Sequence, residues 1–163
     1  MPVALITGAS RGLGKQLALT LSAHGFSIAV NYICSDKEAD ALVGRLGHNS
    51  VALRADVGDM KQVRDMAGKI EKAFGRLDIV INNAGITKDN LLLKQTEQEW
   101  DSILRTNLGG CFNIIKTMSP LMIQSGGGHI INISSYSGRR EKQARRHTAL
   151  QRPPCSAHAL CSA

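Results

Sequence analysis

Apolar residues along this chain fall into short dense runs, separated by longer stretches where they recur every three or four positions. The runs are Val3-Ala4-Leu5-Ile6, Phe26 to Tyr32, Val51 to Leu53, Asp78-Ile79-Val80-Ile81 and His129 to Ile133. Runs apolar at successive positions predict strands covered on both faces. The stretches between them read as helices. Leu13, Leu17, Ala18 and Leu21 share one helical face, and His24-Gly25 closes it. Ser35-Asp36-Lys37-Glu38 has capping-box spacing and predicts a second helix ending near Gly47. Asp59 caps a third, with Met60, Val63, Met66, Ala67, Ile70 and Phe74 in helical period. Thr96-Glu97-Gln98-Glu99 is another capping box, and the helix it opens is expected to bury Trp100, Ile103, Leu104, Leu108, Phe112 and Ile115 on the way to Pro120. Strands alternating with helices predict an α/β fold, a doubly wound parallel sheet with right-handed connections.

The pattern stops at Gly138. Arg139 to Ala163 shows no apolar period, no aromatic residue and no capping signal, and it contains Pro153-Pro154. Two regions are therefore expected: residues 1–138 as a sheet domain ending after its fifth strand, and 139–163 as an unstructured basic tail. Charge divides at the same place. The net charge is +7, of which six basic residues and Glu141 beyond Gly138 account for +5, leaving +2 for the body. Nearly neutral, the body gives no reason to expect a specific nucleic-acid surface, and the tail lacks the aromatics that stack on bases.

An apolar fraction of 43% suits a globular domain. No apolar run approaches the roughly 20 residues of a membrane span, and glycines interrupt the N-terminal run too early for a signal peptide. The four cysteines, Cys34, Cys111, Cys155 and Cys161, form no C-x-x-C pair. Reduced thiols in a cytoplasmic protein are the expectation.

Candidate chemistry begins where the first strand stops. Thr7-Gly8-Ala9-Ser10-Arg11-Gly12-Leu13-Gly14 places three glycines between a buried strand and an amphipathic helix. Glycine permits the tight turn and leaves no Cβ between backbone and ligand. The freed amides and the positive helix end suit a pyrophosphate. The spacing is G-x3-G-x-G, not the commoner G-x-G-x-x-G.

Three further signatures follow in order: Asp56-Val57, Asn82-Asn83-Ala84-Gly85 and Ile131-Asn132-Ile133-Ser134-Ser135. Together with the glycine turn they resemble the short-chain dehydrogenase/reductase family, and within it the branch containing 3-oxoacyl-[acyl-carrier-protein] reductases. The resemblance covers residues 1–138. It implies a Rossmann-like NAD(P)-binding domain, incomplete here, and reduction of a carbonyl, free or carried on an acyl carrier, to an alcohol. It further implies cofactor contacts from Thr7, Gly8, Ser10, Arg11, Gly12, Leu13 and Gly14, from Asn31 on the second strand, from Asp56 and Val57 at the adenine, and from Asn83, Ala84 and Gly85 at the ribose. Full-length members are commonly homo-oligomeric. Ser135 matches the family serine that holds the carbonyl, and Asn107 matches the helix asparagine that anchors a water relay to the catalytic lysine.

The second strand ends at Asn31-Tyr32-Ile33-Cys34, with no acid before Asp36 to hold ribose hydroxyls. Arg11 in the turn can pair with a 2′-phosphate. NADP(H) is the expected cofactor.

The family's proton donor, a tyrosine in Y-x3-K, belongs roughly a dozen residues beyond the serine. It is absent. The only tyrosines are Tyr32 and Tyr136, followed four positions on by Asp36 and Arg140. Shifted by one base, codons compatible with Gln143 to Arg152 can encode Gly-Gln-Ala-Ala-Tyr-Ser-Ala-Ser-Lys, the missing segment in its proper place. The expectation is a frameshifted tail, a bare edge on the fifth strand, poor solubility and crippled turnover. Two alternatives stand beside it: a nucleotide-binding remnant without catalysis, and a metal- or nucleic-acid-binding tail built on His147, Cys155, His158 and Cys161. The tail's C-x2-H-x2-C spacing is tighter than usual zinc patterns, so no metal site is expected.

Overall fold

The computed structural model describes residues 1–47 and 49–135. The expectations for Tyr136, the domain boundary at 138, and the tail with its His147, Cys155, His158 and Cys161 lie outside the described residues. Elements alternate through the chain: β1 (Val3–Ile6), α1 (Gly12–Ala23), β2 (Ser27–Tyr32), α2 (Asp36–Val43), β3 (Val51–Arg54), α3 (Met60–Phe74) and β4 (Ile79–Asn82). Then come α4 (Glu97–Leu104), a π-turn over Arg105–Gly109, α5 (Gly110–Gln124) and β5 (His129–Asn132). The five strands form one parallel sheet in the order β3-β2-β1-β4-β5. This is the doubly wound arrangement that the alternating pattern predicts and the Rossmann-like fold that the resemblance implies.

Strand side chains alternate between two cores. Val3 and Leu5 of β1 join Val63, Met66, Ile70, Ile114 and Met118, so α3 and α5 cover one face. Ala4 and Ile6 join Ala18, Ala39 and Leu42, so α1 and α2 cover the other. All four residues of β1 and all six of β2 are buried, which explains why apolar residues fill β1 and the middle of β2. β5 differs. It is the sheet's edge among the described residues, and Ile131 and Ile133 beside it are 45% and 41% exposed.

Several elements depart from the sequence reading. α2 ends at Val43 rather than near Gly47, and the Ser35 side chain makes no cap hydrogen bond. Capping-box spacing there did not produce a capping box, whereas Thr96 and Glu99 form the reciprocal pair in full. Asp59 caps α3 as expected, accepting from the amides of Lys61 and Gln62. The long fourth helix is interrupted by the π-turn and continues through Pro120 to Gln124. Its buried stripe is Ile103, Ile114, Met118, Leu121 and Met122, while Trp100, Leu108 and Phe112 face outward. Both stripes keep helical period, and periodicity alone does not say which one meets the sheet. In α1 the core-facing positions are Gly14, Ala18 and Ser22, and Leu13 is exposed.

Candidate functional site at the carboxyl edge of the sheet

β1 lies between β2 and β4, so the chain leaves its carboxyl end at the point where strand order reverses. Doubly wound sheets hold ligands in the crevice at that point. Gly8 (φ +62°) and Gly12 (φ +56°) both take left-handed backbone, which lets the chain turn from β1 into α1 within five residues. α1 begins with no side-chain cap and no acid in its first turn. Its first amides and positive end therefore face the turn with no competing side-chain oxygen. A Cβ built on Gly12 meets no atom within 4 Å, so the space over the turn is open. Gly14 has the opposite reason for being glycine: a Cβ there would lie 2.6 Å from Asn83 Nδ2 and 2.7 Å from the Gly8 carbonyl oxygen. These features fit a pyrophosphate cradle.

The turn is fastened to the loop after β4. The Thr7 hydroxyl accepts from the amides of Asn83 and Ala84, both at 2.9 Å, and donates to the Ile81 carbonyl. Asn83 Nδ2 donates back to the carbonyls of Thr7 and Gly8. Asn31 does the same on the other side. Its Oδ1 accepts from the Gly8 amide, and its Nδ2 donates to the carbonyls of Leu53 and Ala55. Thr7 and Asn31 are both about 1% exposed. Their side chains shape the cradle from beneath. Ser10 is also buried, while Arg11 and Leu13 stand exposed at its rim.

Asp56 follows β3. Its Oδ1 accepts from the Gly58 amide at 2.8 Å, and its Oδ2 lies 3.3 Å from Arg105 Nη2. Helix entry belongs to Asp59 instead, so Asp56 is not a cap. Val57 is buried in the core against α5, where a Cβ on Gly110 would come within 2.7 Å of Val57 Cγ2. At the β2 end, Asp36 lies 4.0 Å from Arg54. Tyr32 is buried, and its hydroxyl is pushed above its ordinary pKa of 10.0, first by burial and then by its hydrogen bond to Asp36. That shift runs against a role as proton donor near neutral pH.

Asn107 sits in the π-turn. Its Oδ1 accepts from the Ile86 amide and its Nδ2 donates to the Ile86 carbonyl, a two-point grip on the chain just past Gly85. The Cys111 thiol donates to the Asn107 carbonyl, and burial raises the thiol's pKa. Ser135 lies three residues past β5. Because Asn82 pairs with Asn132 in register and the Ile133 amide donates to the Asn82 carbonyl, Ser134 and Ser135 leave the sheet at the same edge as Asn83 to Gly85. Cradle, asparagine loop and serine thus share one edge. Sequence reading missed Arg105, Asn113, which donates to the Val57 carbonyl, and the Asn82–Asn132 amide pair. No sequence signal links Arg105 to Asp56, since their meeting depends on the π-turn after α4 lying beside the loop after β3.

Among the described residues no group of His, Cys, Asp and Glu is placed to hold a metal ion, and no helix is long and apolar enough to cross a membrane. A cavity of about 300 Å³ lined by Gln95, Thr96, Glu97, Trp100 and Asp101 opens at the start of α4 and shares no residue with the cradle.

Comparison with known proteins agrees with this geometry. The family profile described as short chain dehydrogenase matches residues 2–147. The chain is 46% identical over 138 residues to the 3-oxoacyl-[acyl-carrier-protein] reductase FabG of Staphylococcus aureus, covering 83% of this chain and 56% of that one. It is 40% identical over 136 residues to FabG of Escherichia coli, covering 83% and 55%. A solved 3-ketoacyl-ACP reductase from Sinorhizobium meliloti superposes with a TM-score of 0.75 at 38% identity, covering 84% of this chain and 55% of that one. The chain thus spans about half the length of these relatives. With an ordered set of motifs, a matching sheet and a profile running through nearly all of its length, the chain belongs to the short chain dehydrogenase family.

Proposed function

We propose that this chain carries the cofactor-binding part of an NADPH-dependent oxidoreductase that reduces a 3-oxoacyl thioester on an acyl carrier, and that it binds cofactor without efficient turnover. The observation that carries the binding half is the uncapped start of α1 beneath two left-handed glycines, with open space over Gly12. The substrate class rests on the relatives, which are 3-oxoacyl-[acyl-carrier-protein] reductases.

In this reading the amides of Gly12, Leu13 and Gly14 hold the pyrophosphate. Thr7, Asn31 and Asn83 keep the turn in shape, and Asp56 accepts from the adenine amino group. Asn83, Ala84 and Gly85 line the ribose, with Asn107 holding that wall through Ile86. Arg11 at the rim meets a 2′-phosphate. Asp36, the first acid after β2, is engaged by Tyr32 and Arg54, which favours the phosphorylated cofactor. A bound nicotinamide supplies a hydride to the carbonyl carbon. Ser135 orients the carbonyl oxygen by donating to it.

The family's Y-x3-K proton donor for that oxygen is not in the sequence, because no tyrosine has a lysine four positions on. Losing general-acid help lowers the rate by about 10²–10⁴-fold. A frameshift in the codons after Tyr136 accounts for the loss, and a cytoplasmic setting goes with the same reading. The test is NADPH oxidation by the 163-residue chain with an acetoacetyl thioester. Turnover at least about a hundredfold below that of a full-length relative is the expected result. Turnover equal to the relative's overturns the catalytic half of the proposal.

A further inference from the structure

Asn107 and Arg105 belong to the same π-turn, and their side chains reach two different loops at the sheet's carboxyl edge. Asn107 grips Ile86 after β4. Arg105 meets Asp56 after β3. The loop that carries Asp56 is fitted closely to this arrangement. A Cβ on Gly58 would lie 3.1 Å from Arg105 Cγ, 3.2 Å from Asp56 Oδ1 and 3.4 Å from the Arg105 carbonyl oxygen, so the bare glycine makes room for the arginine stem. The neighbouring Val57 carbonyl accepts from Asn113 of α5. Backbone and carboxylate are therefore held separately, the first by α5 and the second by Gly58 and Arg105.

This pair is poorly suited to stabilising the fold. The Arg105 side chain is 58% exposed, and exposed ion pairs contribute little. Its geometry matters more. One carboxylate oxygen is fixed by an amide and the other by a guanidinium, so the carboxylate plane is set before any ligand arrives. We infer that Arg105 is a positioning residue for adenine recognition: it holds the Asp56 carboxylate in the orientation that accepts the adenine amino group. π-turns recur at functional sites, and this one couples the adenine loop to the ribose loop through two side chains two positions apart. The inference rests on the nucleotide-binding reading above.

The test uses the full 163-residue chain and two probes, NADPH and its hypoxanthine counterpart, in which an oxo group replaces the adenine amino group. Affinities are read by calorimetry, with melting temperature alongside. The unsubstituted chain is expected to prefer NADPH by about tenfold, the scale of one hydrogen bond to a charged acceptor. Arg105→Met keeps the stem against Gly58 and removes the charge. It is expected to shrink the preference to about threefold or less, with the melting temperature unchanged. Arg105→Lys should recover most of the preference. Three results overturn the inference: an undiminished preference in Arg105→Met, no preference in the unsubstituted chain, or equal weakening of both dinucleotides with a lowered melting temperature. Binding of neither probe by the unsubstituted chain overturns the nucleotide reading itself, and this inference with it.

Discussion

Asp78 shows how one side chain can matter to this fold without touching its chemistry. Its carboxylate accepts from the Val3 amide at 2.7 Å and pairs with Arg76. The hydrogen bond from Arg76, and secondarily the Val3 amide, hold its pKa below the ordinary 3.8 despite partial burial. A carboxyl with a lowered folded pKa contributes stability in full above its unfolded value. That contribution is lost as pH falls through the folded value. Asp78→Ala should therefore cost about 1–3 kcal/mol at neutral pH, by leaving the Val3 amide without its acceptor. The difference from the unsubstituted chain should shrink below about pH 4, a trend that urea melts at several pH values would show. Gly14 carries the parallel argument for the cradle. Adding a methyl there forces the Gly8 carbonyl or Asn83 aside, at about 1–3 kcal/mol, and spoils the turn. The glycines, Asp56 and Asn83 are legible in the sequence because their spacing and strand-end positions carry the signal. Arg105 was not, because a contact across 49 positions leaves no local pattern. The inward turn of Thr7 and Asn31 was hidden for the same reason: a polar residue at a strand end reads alike whether it holds a ligand or a neighbouring carbonyl.

At the scale of elements, identical spacings gave different outcomes. Ser35 and Thr96 each stand three residues before a glutamate, yet only Thr96 closes the reciprocal box. Thr96→Ala should lower stability by about 1 kcal/mol, whereas Ser35→Ala should change it by less than about 0.5 kcal/mol. Chemical denaturation of the two variants side by side checks the contrast, and equal costs would contradict the assigned caps. Strand positions and α3 were readable because their apolar runs have only one way to be buried. The α4–α5 region was not. It carries two apolar stripes, and the sheet covers the one containing Ile114 and Met118 while Leu108 and Phe112 face outward. The π-turn between them has no sequence marker, although it holds both Asn107 and Arg105.

Across the whole molecule, a parallel sheet brings four separated motifs to one edge. The glycine turn, Asp56, the asparagine loop and Ser135 each follow a strand, and all these strands point the same way. Parallel order thus gathers motifs spread along the sequence at one edge, and for this reason the fold and the candidate edge are legible in the sequence. The serine side of that edge is less enclosed, since β5 borders the sheet among the described residues and leaves Ile131 and Ile133 partly exposed. The proposed function requires the turn after β1 to hold a dinucleotide in a chain whose sequence has no tyrosine with a lysine four positions on. Calorimetric titration of the 163-residue chain with NADPH tests this most directly, with Gly14→Ala as the matched control. Saturable binding by the unsubstituted chain, weakened at least about tenfold in Gly14→Ala, is the predicted result. No saturable binding, or equal binding by both chains, would contradict it.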